Sequence, residues 1–201
     1  MGHVCASDVV SRVRTHLQQK WADASPAAAS VTFLGLEPLE VLLFRPAGDE
    51  LVHFATVGCS RHPMADPSEM ITDSQRGPRA ELVLSLRRVD ESVTEVWKAL
   101  ARFAASPAVE GVVLVPDALL DAGEPLWPGA PFTAVLLGSD DAFDDVVLPE
   151  PASPVTFYSV VPITATEAAW VRLKGAPALR QAWTEAGIDV TDPSRGAAQP
   201  R

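Results

Sequence analysis

The sequence predicts a single domain of mixed helix and strand, and three observations carry that expectation. The chain has 201 residues with 47% hydrophobic content, enough for one sizeable core and better suited to one domain than to two of half the size. Short apolar runs bounded by proline and glycine mark strands, and apolar residues at helical spacing mark helices near both ends and in the middle.

In chain order, Val9, Val10, Val13, Leu17 and Trp21 share one face of a helix over residues 6–21, with Ser7 or Asp8 as its N-cap. Residues 22–30 contain Pro26 and no periodicity, so they read as a connection. Strands are expected over 31–35, 39–44 and 51–58, the last two joined by a hairpin at Pro46-Ala47-Gly48-Asp49. Residues 60–78 form a long loop, a candidate binding surface. From Arg79 to Leu86, Ala80, Leu82, Leu84 and Leu86 alternate with Arg79, Glu81, Val83 and Ser85, the period of a strand with one apolar face.

Asp90 is placed to cap a helix carrying Val93, Val96, Trp97, Leu100 and Phe103. Strands follow over 112–115 and 132–137, linked by a Pro/Gly-rich connection that folds Leu119, Leu120, Leu126 and Trp127 onto the core. The strand over 155–163 runs into Thr164-Ala-Thr-Glu167, the spacing of a capping box, with a helix expected to about Lys174. Pro177 opens another that ends at Gly187. The expected domain is 1–190, with a disordered tail over 191–201.

The formal net charge is −10 and the pI about 4.8, which disfavours nucleic acid and anionic membranes and attracts a basic protein. Two cysteines, Cys5 and Cys59, form neither a disulfide framework nor a four-ligand zinc site. The N-terminus lacks the pattern of a secretory signal and no apolar run approaches a bilayer span, so a cytoplasmic, soluble chain is expected.

Several residue groups suggest chemistry. Cys59 at a strand exit with His62 three residues on could form a thiol nucleophile and base, and adding His53 or Asp66 gives metal-ligating elements. Spacing alone gives neither pair a third group or a second ligand pair, so a structural cysteine is expected and no metal or cofactor. Arg79 and Glu81 lie on one strand face, close enough to pair with each other or with a neighbouring strand, either anchoring the loop or lining a peptide groove. Asp140, Asp141, Asp144 and Asp145 lack the glycine and terminal glutamate of a calcium loop and read as a solvated acidic surface. Trp97, Trp127, Trp170 and Trp183 read as core or half-buried aromatics.

Taken in order, Thr56-x-Gly58-x-Ser60, Pro63-Met64, Arg79-Ala80-Glu81-Leu82, and Pro162-x-Thr164 followed by Glu167 resemble the motifs of the suppressor-of-fused (SUFU) family, over about 52–86 and 132–167. The resemblance implies an α+β fold, a mixed sheet flanked by helices, with no cofactor and no catalysis. Animal members hold a transcription-factor peptide between this domain and a second one; bacterial single-domain members look like immunity proteins of polymorphic toxin systems. It therefore implies a partner that is another protein, with a basic toxin as leading candidate, and assigns binding to Thr56, Gly58, Ser60, Pro63, Met64, Arg79, Glu81, Pro162, Thr164 and Glu167. Two alternatives remain: a thiol-dependent hydrolase centred on Cys59, and a small-ligand module beneath the 60–78 loop.

Overall fold

A computed structural model describes residues 5–33, 35–65, 75–87, 95–139 and 142–198. Its elements are α1 (Ala6–Lys20), β1 (Ala27–Val31), β2 (Leu39–Phe44), β3 (Leu51–Val57), a 3-10 turn (Cys59–Arg61), β4 (Arg79–Arg87), α2 (Val96–Glu110), β5 (Leu119–Asp121), β6 (Phe132–Ser139), β7 (Val155–Thr164), α3 (Ala165–Lys174) and α4 (Ala176–Ala186). The strands form one sheet in the order β1-β2-β3-β4-β7-β6-β5. Only β4 and β7 run parallel, with Arg79 opposite Val155 and Leu84 opposite Val160; the other neighbours are antiparallel. This is the expected mixed sheet of an α+β domain.

Strand alternation sends side chains to two apolar layers. On one face Val41, Phe54, Leu82, Leu84, Leu137 and Val160 pack beneath Leu100 and Phe103 of α2. On the other, Leu42, Phe44, Val57, Val83 and Phe157 meet Val9, Val13 and Leu17 of α1. Further along that same face Ala134, Leu136 and Ile163 receive Ala168, Leu179 and Trp183 of α3 and α4. Because β4 is central and covered on both sides, its polar alternates are buried too: Arg79 is 4% exposed and Glu81 0%. The expected apolar face of Ala80, Leu82, Leu84 and Leu86 is buried, and the opposite face with Arg79, Glu81 and Val83 is buried as well.

Four expectations need correction. The first strand lies at 27–31, inside the stretch read as a connection, and not at 31–35; Ala27-Ala28-Ala29 has too few apolar contacts to show alternation, and pairing with β2 imposes the strand. Residues 112–115 are not a strand, although Leu114 is fully buried; its N–H meets Met64 Sδ at 3.3 Å instead of a ladder carbonyl. The α1 N-cap position falls to Cys5, with no side-chain capping bond. Residues 191–198, expected to fray, are docked, with Arg195 6% and Ala198 1% exposed. The Asp90 cap and Val93 lie outside the described residues.

Candidate functional site

The β3–β4 ladder is registered only as far as Ala55 opposite Val83. Beyond it β3 parts from β4 while still pairing with β2 through Val57, and the groups on its β4 side that a continuing ladder would satisfy need other partners. Thr56 Oγ1 accepts from Leu82 N at 2.8 Å and donates to Glu81 Oε2 at 2.6 Å. Glu81 Oε1 accepts from Gly58 N at 2.8 Å, Ser60 N at 3.0 Å and Ser60 Oγ at 2.6 Å. One carboxylate thus takes four donors, about its full acceptor capacity, and fixes the chain as it turns out of the strand.

Arg79 holds the same turn from a second side, donating from Nη1 to the carbonyls of Ser60 at 2.7 Å and Arg61 at 2.8 Å. Arg79 and Glu81 are not an ion pair. Gly58 has φ +118°, and a Cβ there would lie 3.4 Å from Pro38 O and 3.6 Å from Leu39 Cα, so both the backbone angle and the approach of β2 favour glycine. Met64 is 5% exposed and its N–H donates to Pro78 O at 2.8 Å.

The second motif forms a separate cluster. Thr164 and Glu167 make a complete capping box at the start of α3, with Thr164 N donating to Glu167 Oε2 at 2.9 Å. Glu167 Oε1 accepts from Trp183 Nε1 at 2.8 Å, Arg195 Nη1 at 2.8 Å and Ala198 N at 3.1 Å. Arg195 Nη2 donates to Pro162 O at 2.8 Å, and its guanidinium lies 5.1 Å from the Phe132 ring and 5.3 Å from the Trp183 ring. Burial pushes the Glu167 pKa up, but the bonds from Arg195, Thr164, Trp183 and Ala198 outweigh it and leave it lowered. Parallel pairing of β4 with β7 puts the two clusters at opposite ends of those strands, since Arg79 and Val155 start them and Thr164 ends β7. The motif residues therefore build two posts, not one site.

The surface that the first post shapes is a cleft of about 430 Å³. Phe33, Leu36, Leu39 and Met64, with Ala104 and Ala108 of α2, supply apolar wall; Glu37, Arg61 and His62 stand at the lip. His62 Nε2 lies 2.8 Å from Glu37 Oε2, and Arg61 Nη2 donates to Pro38 O at 2.9 Å.

Cys59 also lines the cleft, yet burial and the neighbouring Glu81 charge push its thiol pKa well up. It stays protonated, the opposite of an activated nucleophile. His62 pairs with Glu37, and His53 points elsewhere, to Ser85 Oγ at 2.8 Å and Asp49 Oδ2 at 3.2 Å. Among the described residues no group of three or more histidine, cysteine or carboxylate side chains is arranged to hold a metal, and no helix is long and apolar enough to cross a membrane. Asp144 and Asp145 are exposed; Asp140, Asp141, Asp66 and residues 66–74 of the long loop lie outside the described residues.

Sequence reasoning named the side chains of the first post, and Thr164 and Glu167 of the second, but missed what completes the second. Arg195 is 28 residues from Glu167 in a polar Pro/Gly segment, and nothing local marks it. The signal available was the buried Glu167 itself, which needs a cation somewhere.

The family described as Suppressor of fused protein (SUFU) matches residues 35–196. The fold is shared with a SUFU homologue from Neisseria gonorrhoeae FA 1090, with TM-score 0.67 and 20% identity over 97% of this chain and 99% of that one. It is shared also with a chain of the Sufu–Fu complex, at TM-score 0.67 and 14% identity over 94% and 91% of the two chains. Drosophila Suppressor of Fused matches at TM-score 0.62 and 14% identity, with 94% of this chain covering 51% of that one. No curated protein sequence matches at a significant level. With the family motif residues forming the two posts and the match spanning most of the chain, the protein belongs to the suppressor-of-fused family.

Proposed function

We propose that this chain is a non-enzymatic protein-binding domain that works by surface recognition, and that its partner is a basic toxin which it neutralises as a bacterial immunity protein. The observation that carries this reading is the first post: a fully buried carboxylate and a buried arginine act together on the turn from Gly58 to Met64, which walls a cleft. Buried polar groups of this kind add rigidity more readily than stability, and a rigid wall lowers the ordering cost of association. Thr56, Ser60, Arg79 and Glu81 then support binding by positioning the turn, while Glu37, Arg61 and His62 meet the partner. Thr164 and Glu167 support the α3–α4 face in the same indirect way. The saturated Glu81 and the protonated Cys59 favour recognition over hydrolysis.

A net charge of −10 favours a basic partner by raising the association rate, and the Sufu of one structural relative was crystallised in a complex with Fu. The test is to mix the purified protein with a basic, nuclease-like toxin encoded beside it. A complex at micromolar concentration and loss of toxin activity are expected; neither occurring would reject the toxin reading. The cleft also favours a second reading, a small-ligand module. Saturable binding of an apolar fluorescent probe, lost on widening the Ala104 side chain to Phe, would support it.

A further inference from the structure

Helix α1 lies before the matched residues 35–196 and covers part of the sheet. Val9, Val13 and Leu17 rest on Leu42, Phe44, Val57 and Phe157, and the helix also packs against the 59–61 turn. Its C-terminal end enters an aromatic cluster. Trp21 lies 4.4 Å from Phe44, 4.8 Å from His53 and 5.4 Å from Phe143, and His16 stacks on Phe157 at 5.3 Å.

The two histidines of this cluster differ. His53 has a partner on each ring nitrogen, Ser85 Oγ and Asp49 Oδ2. His16 Nε2 is buried with no hydrogen-bond partner. With the proton on Nδ1, that nitrogen leaves only an unfilled lone pair; a second proton makes it a charged donor with no acceptor, a far costlier group to bury.

We propose that His16 makes α1 an acid-labile cover: protonation at the buried, unpartnered Nε2 of this half-buried imidazole unseats the helix and uncovers the apolar face formed by Leu42, Phe44, Val57 and Phe157. The charged and titratable groups around it among the described residues are Lys20 on its own helix, Asp144 from the loop before β7, and, across Trp21, His53 of β3 with Asp49 of the turn before that strand. From β7 the ring of Phe157 faces it. Burial lowers the His16 pKa below the ordinary 6.5; Asp144 opposes that and Lys20 adds to it. A histidine with a depressed folded value stabilises the closed helix fully above pH 6.5 and progressively less as pH falls below it. Release would also free one side of the turn that walls the cleft.

Hydrogen exchange on the full chain between pH 7.5 and 5.0, corrected for intrinsic rates, tests this. The opening constant of the α1 amides should rise below pH 6.5, approaching at most about tenfold per pH unit, the limit for one proton, while β3, β4 and β7 stay protected. His16→Phe, which keeps the ring stack, should flatten that slope. A flat wild-type profile, an equal slope in His16→Phe, or opening of α1 only together with the central strands would overturn the proposal. Should the variant misfold, the wild-type His16 imidazole titration by NMR decides: a midpoint below 6.5 is expected, and one at or above it refutes the device.

Discussion

Glu81 and Arg195 are the residues on which the two posts depend. Glu81→Gln replaces an acceptor oxygen with an amide donor that faces existing donors, so a loss of about 3 kcal/mol in urea unfolding is expected, within the range for breaking a buried charged network. A loss under about 0.5 kcal/mol, the level of an ordinary surface change, would mean that the carboxylate does not hold the turn. Arg195→Ala leaves Glu167 buried without its cation and should cost about 3–5 kcal/mol, a large effect for a residue in a segment that reads as a tail. Stability unchanged in that variant would show that Arg195 does not seat the segment. Cysteine reactivity separates binding from thiol chemistry. In the native protein iodoacetamide should modify exposed Cys5, whose pKa is lowered by the Ser7 hydroxyl, and leave Cys59 intact until denaturant is added. Rapid native labelling of Cys59 would reopen the hydrolase reading.

At the scale of elements, the C-terminal segment is tied at its start by Asp189, which accepts from Thr191 Oγ1 at 2.6 Å and Thr191 N at 3.0 Å and pairs with Arg87. The Thr191 hydroxyl first, then Arg87, lower its pKa from 3.8 to about 2. A carboxylate with a depressed folded value stabilises above its unfolded value and loses that effect as pH falls through the folded one. The segment should therefore begin to loosen as pH drops below 3.8 and lose this tie near 2, an effect that Glu167, also lowered, reinforces. Exchange at Thr191–Ala198 amides between pH 4.5 and 2 measures it, and unchanged protection down to pH 2 would contradict it. The elements legible in the sequence were those whose pattern is local. β2, β3, β6, β7 and the α3 capping box carry their own alternation or caps. β1 did not, because three alanines show no period until β2 pairs with them, and 112–115 misled because Leu114 is buried by packing and not by pairing. The site followed the same division: the motif letters named Glu81 with its donors and Glu167, but the remote completion of Glu167 by Arg195 and by Ala198 N has no local sequence signature.

For the whole molecule, apolar clusters cover both faces of the sheet, and its polar posts are buried at opposite ends of the β4–β7 pair. What reaches solvent is mostly polar and charged, with Val109, Val115, Val147 and Leu173 as exposed apolar side chains among the described residues. A net charge of −10 predicts that association with a basic partner slows steeply with salt, while dissociation changes little; stopped-flow mixing between 50 mM and 500 mM salt would show it. A salt-independent association rate would contradict electrostatic steering. The most direct measurement of recognition at the turn-walled cleft is calorimetric titration of a candidate basic, nuclease-like toxin into wild type and into Glu37→Lys, a substitution at the exposed lip. Micromolar or tighter binding by wild type, weakened at least about tenfold, or roughly 1.4 kcal/mol, in a variant that remains folded, is the predicted result; no complex with wild type, or equal affinity for both, would contradict it.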